Sequence, residues 1–148
     1  MKYHIDSVIL AEQSLLGALM QEPEKLVEVK AAVDVEDFYD EKNKDIYNAI
    51  LRLDEAEIIP DTTTIFEEIN NSGAFKSMDA SLYIVELYDI TPSTRNIMHY
   101  ANLVKRYSIY REIRSALLSS TEEMNQGNAD IDSLTATLFD QVERAMER

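Results

Sequence analysis

Apolar and polar residues alternate along most of the chain with the period of a helix rather than a strand. Val8, Leu15 and Leu19, with Ile9, Leu16 and Met20 beside them, recur at helical spacing, and Ser7 is placed to cap the helix they define. Pro23 ends or restarts that helix, and residues 24–32 predict a second, short one carrying Leu26, Val27 and Val29. Residues 34–39 read as a turn or a single helical turn in which Phe38 and Tyr39 plug the core. A helix over residues 40–54 follows, with Ile46, Ile50 and Leu53 on one face. Asp61 caps a helix over residues 62–70 with Ile65, Phe66 and Ile69 inward, and Gly73 stops it in a left-handed conformation. Ser77 or Asp79 starts another, holding Leu82, Tyr83, Val85 and Leu87.

Thr91-Pro92 predicts a fresh start, with a capping side chain and then proline at the first helical position. No Gly or Pro follows until Gly127, which leaves helical potential for a rod on the order of 50 Å long. Gly127-Asn128 is a turn, and Asp130 or Asp132 caps a last helix with Ile131, Leu134, Leu138, Val142 and Ala145 as its stripe. The expected fold is all-α: a compact multi-helix head over residues 1–90, then a long helical hairpin over residues 91–148. On the first hairpin helix Leu103, Tyr107, Tyr110, Leu117 and Met124 form a stripe that Ile97, Ala101, Val104, Ile113 and Leu118 widen beyond one face. A surplus of that kind needs a further surface, and self-association is favoured over packing on the head.

Composition narrows the chemistry. The 148 residues hold three glycines and three prolines, where average usage gives about 10 and 7. Gly17, Gly73 and Gly127 stand too far apart to build a phosphate-cradling loop, so no P-loop or dinucleotide fingerprint is present. With no cysteine there is no disulfide framework and no thiolate chemistry. His4 and His99 lack any metal-pair spacing. The paired carboxylates, such as Glu36-Asp37 and Glu67-Glu68, sit where solvated faces and caps are expected. No nucleophile, base and orienting group can be nominated together. No apolar run reaches the roughly 20 residues of a membrane span.

The formal net charge is −14, which opposes autonomous, high-affinity nucleic-acid binding and anionic membrane surfaces. It is unevenly spread. Residues 1–94 carry 7 basic and 20 acidic side chains, residues 95–114 carry 5 and 1, and residues 115–148 carry 2 and 7. The basic stretch is expected to ion-pair with the acidic head rather than with phosphate.

The order of motifs resembles one family. Ala11-Glu12-Gln13-Ser14-Leu15-Leu16-Gly17 is similar to the A-E-Q-x-[VL]-L-G opening of DnaB-type replicative helicases. It is followed by Asp37-Phe38-Tyr39, by Ile46-Tyr47-x-Ala49-Ile50-x-x-Leu53, by Pro60-Asp61-x-x-Thr64 and by Tyr83-Ile84-x-Glu86-Leu87. Thr91-Pro92-x-x-x-Asn96-x-x-x-Tyr100-Ala101-x-x-Val104 completes the series. Two departures stand out. The family's glycine before the Pro-Asp element is replaced by Glu57-Ile58-Ile59, and the G-G before Y-L by Met78-Asp79-Ala80-Ser81.

The resemblance implies an N-terminal collar domain, a helical head and hairpin that hold subunits together as dimers or as a hexamer built as a trimer of dimers. It implies that the chain itself is non-catalytic, that the parent protein is an ATP-dependent DNA helicase working in the bacterial cytoplasm or in a bacterial host, and that ATP and Mg belong to a separate motor domain. Tyr107, Tyr110, Leu117, Leu134, Leu138 and Val142 are then the subunit-interface candidates. Partners of the family's collar are a DnaG-type primase, a component of the primosome, and a helicase loader. By position Tyr83 is the best-matched primase-binding candidate, with Arg114 and Ser120 at places where relatives carry apolar residues. The alternative is a stand-alone, phage-type regulator that mimics the collar and binds a host helicase or primase.

Overall fold

The computed structural model describes residues 2–75 and 77–148, and every regular element among them is helical. In chain order these are α1 (Ile5–Gln21), α2 (Leu26–Ala32), α3 (Glu41–Glu55), α4 (Thr62–Ser72), α5 (Ser77–Ile90), α6 (Ile97–Gln126) and α7 (Ile131–Glu147). Short 3-10 turns occupy Pro23–Lys25, Val35–Asp37 and Thr94–Asn96. Residues 1–105 and residues 106–148 form two compact units.

In the first unit α1 packs on α5 and α3, and α4 lies against α3 and α5. Leu15, Leu16 and Leu19 of α1, Ile46 and Ile50 of α3, Ile65 and Ile69 of α4, and Ile84 and Leu87 of α5 are all fully buried. Each such side chain contributes roughly 1.5–3 kcal/mol by leaving water. Phe38 and Tyr47 join the core with ring centroids 4.7 Å apart, and the Tyr47 hydroxyl donates to the Val33 carbonyl at 2.8 Å. Burial and the nearby Asp34 and Asp37 raise the Tyr47 pKa well above the ordinary tyrosine value.

Several helix ends form as their side chains predict. Asp40 accepts from the Asn43 amide, Asp61 and Thr64 exchange hydrogen bonds in a capping box, and Asp130 accepts from the Ser133 amide. Gly73 ends α4 at φ 70°.

Other ends differ from expectation. The first helix starts at Ile5 and His4, not Ser7, is its cap: the His4 Nδ1 accepts from the Asp6 amide at 3.2 Å. Thr91 caps nothing. Its hydroxyl donates to the Leu87 carbonyl at 2.9 Å, and Ser93 caps the turn that leads into α6. That leaves Pro92 outside the helix. The side chain at the start of α5 lies outside the described residues, so the expected Ser77 cap does too. Tyr39, expected in the core beside Phe38, is 47% exposed. On α5 the inward face is Ala80, Ile84 and Leu87, while Leu82 and Val85 face outward.

α3 ends in a Schellman motif. The Ile58 amide donates to the Leu53 carbonyl and the Glu57 amide to the Asp54 carbonyl. The motif demands a left-handed residue where glycine is usual, and Glu57 supplies it at φ 60°.

The head was expected to end at residue 90. The first unit runs on to residue 105 because the opening turns of α6 belong with it: Ile97, Ala101 and Val104 are buried, and Lys105 pairs with Asp37 at 3.2 Å.

Candidate functional site

Three loci hold the residues that sequence reasoning singled out. The first is a buried polar network centred on Glu12. Its carboxylate is fully enclosed, and isolated in an apolar interior it would cost several kcal/mol. It is therefore surrounded by donors: the Tyr39 amide at 2.6 Å, the Asp40 amide at 3.2 Å and the Asn43 side-chain amide at 3.1 Å. Asn43 in turn accepts from the Tyr83 hydroxyl, which accepts from the Gln13 side-chain amide at 3.2 Å. The network ties the middle of α1, the turn before α3, α3 itself and α5 into one body.

Tyr83 thus turns its hydroxyl inward while its ring stays half-exposed, with the Lys42 ammonium 5.5 Å from the ring centroid. Burial is the main cause that raises its pKa above the ordinary tyrosine value. Sequence reasoning placed Glu12 in the opening motif without assigning it a role, and it missed Asn43. The one available signal was a glutamate set among the apolar positions of α1.

The second locus is the acidic turn over Val35–Asp37. Asp37 is fully buried and accepts from the Asp34 amide at 2.8 Å and the Lys105 ammonium at 3.2 Å. Part of the expected basic stretch is accordingly used in pairing with the acidic head, as its composition predicts.

The third locus is the hairpin unit, residues 106–148. Apart from Tyr107, its buried positions hold small residues: Ser108, Ala116 and Ser120 on α6 and Ala145 on α7. Arg148 bonds Glu112 and donates to Ser108 at 2.8 Å. Large apolar side chains lie outside. Tyr110, Leu117 and Met124 follow one another at seven-residue spacing along α6 and are 44%, 50% and 63% exposed. Phe139 and Met146 repeat that spacing on α7 at 71% and 63%. Ile131, expected in the α7 stripe, is exposed as well.

Among the interface candidates Tyr107 is buried, Tyr110 and Leu117 are exposed, and Leu134, Leu138 and Val142 are half-buried. Among the primase-binding candidates Arg114 is exposed, Ser120 is buried and Tyr83 is half-buried, so these three do not form one patch within a unit. Among the described residues no group of three His, Asp or Glu is placed to hold a metal ion, and no helix is long and apolar enough to cross a membrane.

The layout is a helical head with a polar clamp joining α1, α3 and α5, followed by a helical hairpin that carries exposed apolar side chains. The chain belongs to the DnaB-like helicase N-terminal domain family, whose model matches residues 6–106. Its structure is similar to that of the N-terminal domain of DnaB helicase from Mycobacterium tuberculosis. The TM-score is 0.82 at 22% identity, over 92% of this chain and 96% of that one. It is 29% identical over 126 residues to the replicative DNA helicase DnaB of Geobacillus stearothermophilus, covering 85% of this chain and 28% of the relative. It is 30% identical over 105 residues to the replicative DNA helicase DnaC of Bacillus subtilis, covering 71% and 23%. The chain therefore spans about a quarter of the length of these curated relatives.

Proposed function

We propose that this domain is the assembly collar of a bacterial replicative DNA helicase: it pairs subunits through the hairpin, builds a hexamer as a trimer of dimers, and docks a DnaG-type primase and a helicase loader. The observation that carries the reading is the row of exposed apolar side chains on the hairpin. Tyr110, Leu117 and Met124 at a seven-residue repeat form the seam that two helices bury against each other. A row of large exposed apolar side chains of this kind is what a protein interface covers.

In this reading Leu134, Leu138 and Val142, half-covered within the hairpin, are completed by the second subunit, and Tyr107, Tyr110 and Leu117 line the same contact. Primase docking uses the half-exposed ring of Tyr83, held in place by Gln13 and Asn43, with Arg114 and Ser120 as further candidates. The working protein is cytoplasmic, and ATP and Mg serve the motor domain of the parent chain. The acidic surface leaves DNA to that motor.

Analytical ultracentrifugation tests the core of the proposal. The chain is expected to sediment as a dimer or larger assembly at micromolar concentration. Leu138→Asp, which puts a charge into the apolar seam, is expected to yield a folded monomer. A wild-type chain that stays monomeric at high micromolar concentration overturns the reading.

A further inference from the structure

A cleft of about 450 Å³ opens in the head between Pro23–Leu26 and the loop that runs from the end of α3 to Pro60. Leu26 and Pro60 form its buried floor, and Ile58 and Ile59 stand along it, 45% and 71% exposed. Its charged lining is uniformly acidic. Asp54 is already taken by Lys30 at 2.7 Å, whereas no cation among the described residues pairs with Glu24 or Glu57. Both are exposed at the rim. An apolar trough flanked by two uncompensated carboxylates is complementary to a segment with a large apolar side chain and flanking Lys or Arg.

We propose that this cleft docks a basic, apolar peptide segment of another protein. The apolar side chain enters over Leu26 and Pro60 against Ile58 and Ile59, while cationic neighbours meet Glu24 and Glu57. The Schellman turn sets the direction in which the chain leaves α3, and Ile59 beyond it is exposed beside the floor. The cleft lies wholly within residues 1–105, so the inference stands apart from the hairpin-mediated assembly proposed above.

A random-peptide display library selected on the full chain tests it, with hits synthesised and titrated into isotope-labelled protein. The expected hits carry Leu, Ile or Phe next to Lys or Arg, and perturb amide resonances of residues 23–27 and 54–60. Their affinity is expected to fall with added salt, and by about tenfold or more in Glu24→Lys/Glu57→Lys. Ile59→Ser, at a side chain the fold does not bury, is expected to weaken binding while the helical circular-dichroism spectrum stays unchanged. Failure to enrich any peptide overturns the proposal, as do hits that are acidic or that perturb other resonances. So does a concentration-dependent shift of the cleft resonances without peptide, which would assign the cleft to a second copy of the chain.

Discussion

Glu57 holds a left-handed backbone conformation that disfavours any residue with a Cβ by about 1–2 kcal/mol. Replacement by glycine relieves the strain and gives part of it back in unfolded-state entropy. Glu57→Gly is therefore expected to stabilise the chain by about 1 kcal/mol, read as a higher urea midpoint at unchanged m-value. Glu12 illustrates the opposite dependence. Three donors converge on its carboxylate, and removing the acceptor leaves the Tyr39 and Asp40 amides and the Asn43 side chain unsatisfied. Glu12→Ala is expected to cost about 3 kcal/mol or more in the same measurement. Both residues stand in segments that the sequence singles out, but neither role announces itself there. The missing glycine of the family pattern pointed at residues 57–59, but only the backbone shows that the left-handed position survives without it. Glu12 meets partners 27 to 31 positions away, which no local pattern encodes.

The packing of α1 on α5 turns on Gly17. A Cβ there would lie 1.7 Å from the Thr91 hydroxyl and 2.2 Å from the Leu87 carbonyl oxygen. The helices approach this closely because glycine offers no side chain, and the Thr91 hydroxyl fills the gap while bonding the Leu87 carbonyl. Gly17→Ala is expected to destabilise by about 2–3 kcal/mol. Adding Thr91→Ala is not expected to restore stability, because the Leu87 carbonyl is backbone and cannot be trimmed; thermal melts of the single and double variants check both statements. Where contrast between faces was strong, the elements were legible beforehand. Ile46, Ile50 and Leu53 of α3 and the caps at Asp61 and Asp130 are as expected. The α5 face was not, because Leu82, Tyr83, Ile84 and Val85 form an unbroken apolar run in which periodicity cannot choose a side. Thr91 misled for a related reason: a Thr-Pro pair looks the same whether the hydroxyl caps the next helix or closes the last one.

At the scale of the molecule, charge and titration decide behaviour. With a net charge of −14 the chain repels itself increasingly as more groups ionise at high pH. Tyr47 and Tyr83 both carry raised pKa values in the fold. Above the ordinary tyrosine value of about 10 the unfolded chain releases these protons while the folded chain retains them. Their contribution to stability is complete below that pH and declines as pH rises through it. Chemical denaturation at about pH 8 and about pH 10.5 is expected to show a clear loss at the higher value, and Tyr47→Phe is expected to flatten that slope although it strands the Val33 carbonyl. The all-α class and the hairpin were open to inference from the scarcity of breakers and the long apolar stripes. The place where the two units divide was not, because α6 continues through it without a break in pattern.

The left-handed turn at Glu57 also bears on how this sequence has been selected. Either glutamate codon becomes a glycine codon when its middle adenine is replaced by guanine, so the relaxed turn is a single mutation away. Selection acting on fold stability alone would take that step. Glycine there would relax the turn and at the same time remove a carboxylate from the rim of the cleft, so fold robustness and an acidic rim are alternatives at this one position.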